Sequence, residues 1–141
     1  MSEDSRRGAH WSFWLVGAVA LIWNGLGSVN YLVQVNADSL DAYRAVEQAI
    51  IADRPAWATG AFAMAMFGGT VGGLLLLMRK AVAFQVFIVS FVGVMVTTAH
   101  TIGVDADFGA GEAVVIVLMP IAVAAFFVWY AKRAKARGWV S

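Results

Sequence analysis

Four long stretches of the chain, Trp11–Val35, Trp57–Met78, Ala81–Val104 and Ala113–Ala131, contain no Asp, Glu, Lys or Arg. Each is about 20 residues or longer, the length at which an α-helix crosses a hydrocarbon core about 30 Å thick. A backbone in lipid must satisfy its own hydrogen bonds, so these stretches predict helices, and the alternating ten-residue segments of a membrane barrel are absent. The composition agrees: 61% of residues are apolar, 13% are charged and the mean hydropathy is +0.75, whereas soluble domains carry about 25% charge. A soluble domain of 141 residues has too little interior for so many apolar side chains. The expected fold is all-α, an antiparallel bundle of four transmembrane helices forming one membrane domain over residues 1–141.

The connections sort by charge. Arg6, Arg7, Arg79, Lys80, Lys132, Arg133, Lys135 and Arg137, eight of the ten basic residues, fall at one end of the bundle. The other end takes Asp38, Asp41, Glu47, Asp53, Asp105, Asp107 and Glu112, opposed by Arg44 and Arg54 alone. Basic residues mark the cytoplasmic side, which predicts a protein of the cell's inner (plasma) membrane with both termini inside and a basic cytoplasmic tail over 132–141. Trp11, Trp14, Trp129, Tyr130 and Trp139 would anchor the inner interface, and Tyr31 and Trp57 the outer one. Arg6 and Arg7 before Ala18-Val19-Ala20 imitate a cleaved export signal, but the apolar run continues to Val35 and reads as a span. The formal net charge of +1 gives no reason to expect a nucleic-acid partner. The bilayer is the expected partner, with the chain itself or another membrane protein as further candidates.

The first outer loop, 36–55, carries Leu40, Tyr43, Val46, Glu47 and Ile50 at helical spacing, with Asp38 and Ser39 as caps and Pro55 as a stop. This predicts a short amphipathic helix on the outer surface, either a connector or a lid.

Within the spans, small and polar residues form stripes. Gly17, Ala20, Asn24, Gly27, Ser28 and Tyr31 share one side of the first helix, and the amide of Asn24 near mid-membrane is expected to hydrogen-bond across to a neighbour. Gly68 with Gly72, and Gly69 with Gly73, are small-x-x-x-small pairs that let helices approach closely, within the bundle or between copies. The third helix presents Ser90, Gly93, Thr97 and His100 on one face. Asn24, Tyr31, Thr97 and His100 are therefore the candidate lining of an outward-facing polar vestibule. Pro120 removes a backbone donor inside the fourth helix and predicts a kink or local opening near Ile116.

The chain has no cysteine, and it lacks nucleotide-binding, nucleophile-elbow and metal-ligand motifs. His100 could contact Asp105, Asp107 or Glu112, but His10, the only other histidine, lies at the opposite interface, so bis-histidine haem is not expected within one chain. No ionisable group lies at the midplane to couple protons. No cofactor, metal or enzymatic activity is expected.

Trp23-Asn24-x-x-Gly27 followed by Tyr31, then Pro55-Ala56-Trp57, Phe67-Gly68-Gly69-x-x-Gly72 and Arg79-Lys80-Ala81, resembles a group of small, uncharacterised bacterial inner-membrane proteins of four helices, sometimes loosely labelled sugar transporters. The resemblance covers Trp11 to Gly103 and implies the fold while identifying no catalytic residue. In size and helix count the chain is also similar to DoxX-type proteins. The sequence favours a non-enzymatic accessory or structural membrane protein that binds itself or another membrane protein. A small-solute carrier or channel is the alternative, and a membrane enzyme or redox subunit using His100 is the third.

Overall fold

The computed structural model describes residues 8–52, 54–104 and 107–141. Its helices are α1 (Trp11–Val35), α2 (Ala45–Ala52), α3 (Ala56–Leu77), α4 (Ala83–Gly103) and α5 (Ala110–Ala136), and no strand occurs among the described residues. All but α2 are long and apolar enough to cross a membrane. Their outward faces carry bare apolar side chains, among them Ile22, Leu26 and Ile102, each more than 60% exposed. A soluble monomer does not sustain so much continuous apolar surface, so the fold is that of a multi-pass helical membrane protein. Arg6, Arg7, Asp53 and Asp105, which contributed to the charge pattern, lie outside the described residues.

The helices pack in chain order, α1 on α3, α3 on α4 and α4 on α5, while α1 and α5 share no extended interface. The glycines of α3 set this order. A Cβ on Gly73 would stand 2.9 Å from the Leu21 nitrogen, and one on Gly69 would coincide with the Asn24 amide, so both positions face α1. A Cβ on Gly68 would stand 3.3 Å from Ser90 Cβ, and one on Gly72 2.9 Å from the Phe87 ring, so this pair faces α4. Gly93 of α4 returns the fit, lying against the Ala61 carbonyl and Ala65 nitrogen. Both small-residue pairs are thus used inside the chain, through the close backbone approach that dispersion requires where lipid removes the hydrophobic drive. Ser90 Oγ donates to the Ala65 carbonyl at 2.6 Å, and Ser28 and Thr70 share a hydroxyl contact at 2.9 Å.

At the end that carries Arg79, Lys80 and the carboxyl terminus, here the basic end, the bundle closes. Phe13, Leu76, Phe87, Phe127, Tyr130 and Ala134 form a buried cluster, and Ser12 meets the Tyr130 hydroxyl at 3.2 Å. Residues 132–141, expected as a basic tail, pack back onto the bundle. Helix α5 continues to Ala136, because Ala, Lys and Arg favour helix and cations suit its carboxyl end. The guanidinium of Arg133 lies over Trp129 and the ammonium of Lys135 over Phe84. Gly138, with φ of +69°, then reverses the chain. Ser141 pairs with the α3–α4 turn through Ser141 N–H to the Arg79 carbonyl and Ala81 N–H to the Ser141 carbonyl, both 3.0 Å. The four spans depart from the expected limits by a few residues, most at α5, which begins at Ala110.

Candidate functional site

At the opposite, acidic end, α1 and α5 leave a gap that the chain fills incompletely with α2. This helix starts later than the Leu40 repeat suggested, because Leu40 to Tyr43 make a turn in which Tyr43 N–H meets the Leu40 carbonyl at 2.9 Å. Glu47 then reaches back to the Arg44 N–H at 3.1 Å, the reciprocal half of a capping box. The same carboxylate pairs with the Arg44 guanidinium at 3.1 Å, which holds Glu47 below the usual carboxylate range. Arg44 also approaches Glu112 at the start of α5, at 3.8 Å. Val46 and Ile50 turn inward and are buried. His100 supports α2 from below: its Nε2 lies 3.3 Å from the Ile50 carbonyl, and its ring stands edge-on to Trp57.

Beneath α2 lies a partly open cavity of about 220 Å³. Asn30 and Gln34 of α1, Phe62 and Ala65 of α3, Thr97 and Thr101 of α4 and Ile116 and Pro120 of α5 contribute to its wall. Ala65 lies nine residues into α3 from Ala56, roughly 13 Å at about 1.5 Å per residue, so the cavity reaches almost half the depth of a span. A void of about 20 Å³ follows, sharing Met66, Val94 and Pro120 with it and touching Asn24 and Ser90. Phe87 and Phe127, ring centroids 5.7 Å apart, close that void on the basic side.

The α5 wall owes its shape to Pro120. With no N–H at residue 120, the α-helical ladder cannot continue through the Ile116 carbonyl, and Val114–Leu118 widens into a π turn in which the Met119 N–H reaches the Val114 carbonyl. The local opening expected from Pro120 takes this form, at the cavity's edge.

Two buried side-chain polar atoms have no hydrogen-bond partner among the described residues: Thr97 Oγ1 and Arg54 Nε. Both residues line the larger cavity. Arg54 Nη2 donates to Gln34 Oε1 at 2.7 Å, and the guanidinium carbon lies 4.9 Å from the centre of the Phe62 ring. Burial pushes the Arg54 guanidinium below its ordinary range. Among the described residues no carboxylate lies within ion-pair distance of it, since the two ion pairs both use Arg44.

The four residues expected to share a vestibule do not all meet. Thr97 lines the larger cavity, and Asn24 touches only the small void below it. Tyr31 packs edge-on against Phe62 and Phe67, and His100 is engaged with Ile50 and Trp57, so neither is in the cavity wall. Nor does Asn24 bridge two helices: its Nδ2 donates to the Ala20 carbonyl of its own helix at 2.8 Å, one turn back, and its amide sits against Gly69. Among the described residues no group of three His, Asp or Glu side chains is placed to hold a metal ion.

Arg54 of the first outer loop and Gln34 and Asn30 of the first span carried no signal as site residues. The available cue was Arg54 itself, one of two cations in an acidic region, followed directly by Pro55 and Trp57 at a helix start.

Fold and cavity together define a small multi-pass helical protein with a cavity of mixed polar and apolar lining confined to one half of its bundle. Compared with known protein families, with curated proteins and with solved structures, the chain matches none.

Proposed function

We propose that this chain is an inner-membrane protein with both ends in the cytoplasm that takes a small solute from the outer side into the cavity beneath α2, as a non-enzymatic binding protein or carrier. The orientation rests on the basic residues gathered at the terminal end. The resemblance to small bacterial four-helix membrane proteins fits the same reading. The observation that carries the functional part is the pair of buried atoms with no partner among the described residues, Arg54 Nε and Thr97 Oγ1, in one cavity. Leaving such groups unpaired costs about 1–3 kcal/mol each, and a ligand or ordered water that meets them recovers it. A purely structural role gives no reason to hold them there, and the glycine pairs that suggested self-association are occupied by α1 and α4. The aromatic cluster at the basic end leaves the cavity closed on that side, so carriage across the membrane requires that cluster to part, whereas binding alone does not.

The cysteine-free sequence allows a direct test. Single variants Thr97→Cys and Phe87→Cys are placed in oriented vesicles and treated with a membrane-impermeant thiol reagent from either face. Thr97→Cys should react from the outer face only and Phe87→Cys from neither. A Thr97→Cys thiol that resists the reagent from both faces refutes the reading.

A further inference from the structure

Resting on the binding function just proposed, we infer that the ligand is an oxyanion, a carboxylate or phosphate with a short apolar body, and that Arg54 is its anchor.

The chemistry of the cavity wall selects this class. A guanidinium has five N–H donors and no acceptor. Arg54 directs one of them to Gln34 and presents its face to Phe62, leaving Nε buried and without an acceptor among the described residues. Its counter-charge is not supplied by the described residues: Glu47 also borders the cavity, but its carboxylate is bound by Arg44, which also faces Glu112. A partly buried cation in this state is stabilised by an opposite charge at close range, and planar, bidentate pairing makes a carboxylate or phosphate the best match. A neutral ligand leaves the charge unmatched, and a cation is repelled by it.

The rest of the wall limits the body of the ligand. Ile50, Ile51, Phe62, Met66, Val94 and Ile116 are apolar, and of the threonines on the α4 side only Thr97 leaves its buried hydroxyl without a partner among the described residues. A volume of about 220 Å³ falls below the roughly 300–1,000 Å³ typical of drug-sized ligand sites. It therefore suits a short chain better than a larger ligand. The same oxyanion chemistry is offered by a free short-chain acid and by the headgroup of an anionic lipid entering from the side.

The test uses the full chain in nanodiscs of phosphatidylcholine, with binding followed by calorimetry. The probes are hexanoate, its neutral analogue hexanol, and hexylamine. Hexanoate should bind at least about tenfold more tightly than either, the smaller end of what a charge-assisted hydrogen bond contributes. Arg54→Gln should remove that preference, bringing hexanoate binding down to the level of hexanol in the same variant. Arg54→Lys, which keeps the charge without the fork, should retain the preference at reduced affinity. A second set of discs containing phosphatidylglycerol separates the sources. Competition with hexanoate there, lost in Arg54→Gln, assigns the oxyanion to lipid, and undiminished hexanoate binding assigns it to a free solute; each supports the inference. Equal binding of hexanoate and hexanol, unaffected by Arg54→Gln, overturns the oxyanion while leaving the cavity as a binding site. Absence of binding by all three probes, with Thr97→Cys unreactive, overturns both readings.

Discussion

Replacing Gly73 by alanine isolates the contact that sets α1 against α3. The added Cβ would stand 2.9 Å from the Leu21 nitrogen, 3.1 Å from its Cα and 3.2 Å from the Ala20 carbonyl carbon. All three are backbone atoms and all lie inside the 3.5–4.0 Å or so at which such contacts are favourable. No side-chain rotation relieves them, so α1 must shift outward by several tenths of an ångström along its length. Overpacking of this kind costs about 1–3 kcal/mol. Alanine also removes the helix penalty of glycine, about 1 kcal/mol, which would mask part of the effect in a single measurement. Gly60→Ala in the same helix provides the correction, because a Cβ there meets nothing within 4 Å and only the propensity gain remains. Gly73→Ala should therefore be about 1–3 kcal/mol less stable than Gly60→Ala. The assay is reversible unfolding in mixed detergent micelles, followed by far-ultraviolet circular dichroism as the denaturing detergent fraction rises. Gly93→Ala, whose Cβ would meet the Ala65 nitrogen at 2.7 Å and the Ala61 carbonyl oxygen at 2.8 Å, should behave similarly. Equal stability of Gly73→Ala and Gly60→Ala would refute the packing order argued above.

Pro120→Ala restores a backbone donor and removes the clash that opens the π turn, so it should raise the free energy of unfolding by up to about 3 kcal/mol and slow the reaction of Thr97→Cys as the α5 wall closes; a lowered stability argues against that origin of the turn. His100→Leu removes the contact to the Ile50 carbonyl, a hydrogen bond with a net contribution of about 0.5–1.5 kcal/mol. Amide exchange over Ala45–Ala52 should then accelerate, by up to roughly tenfold, with α3 unaffected. Arg44 lowers the Glu47 pKa in the folded chain, so the pair contributes stability above the ordinary Glu value of about 4.3 and loses it as pH falls through the lower folded value. Amide resonances of α2 should accordingly titrate below about pH 4.3, a transition absent in Glu47→Gln, and a midpoint above that value contradicts the pairing.

Much of this architecture was legible in the sequence because crossing a bilayer is a demand on local composition: an uninterrupted apolar run of sufficient length has few other solutions. The interruption at Pro120 was legible for the same reason, since a missing N–H acts where it occurs. Boundaries were less so. Lys132, Arg133 and Lys135 mark the end of the apolar run, yet α5 carries them for more than another turn because their long stems reach the polar region from within a helix. The glycine pairs were visible, but assigning Gly69 and Gly73 to α1 and Gly68 and Gly72 to α4 depends on how the helices are turned about their axes. Asn24 was read from its depth as a bridge between helices; the close approach at Gly69 instead folds its amide back onto Ala20. Arg54 was hidden for a similar reason. Its burial exists only because Val46 and Ile50 fold α2 inward over the gap between α1 and α5, a tertiary event with no counterpart in the spacing of the loop.

The claim on which the rest depends is that water enters one half of this bundle and is kept from the other. Magnetisation transfer from water protons to methyl groups, recorded by nuclear magnetic resonance on the protein in nanodiscs, reads that division without a substitution. Methyls of Thr97, Val94 and Ala65, on the cavity wall, should receive magnetisation, whereas those of Ala20, Ala131 and Ala134, buried away from it, should receive none. Equal transfer to both groups, or none to the first, would contradict a cavity confined to the acidic half.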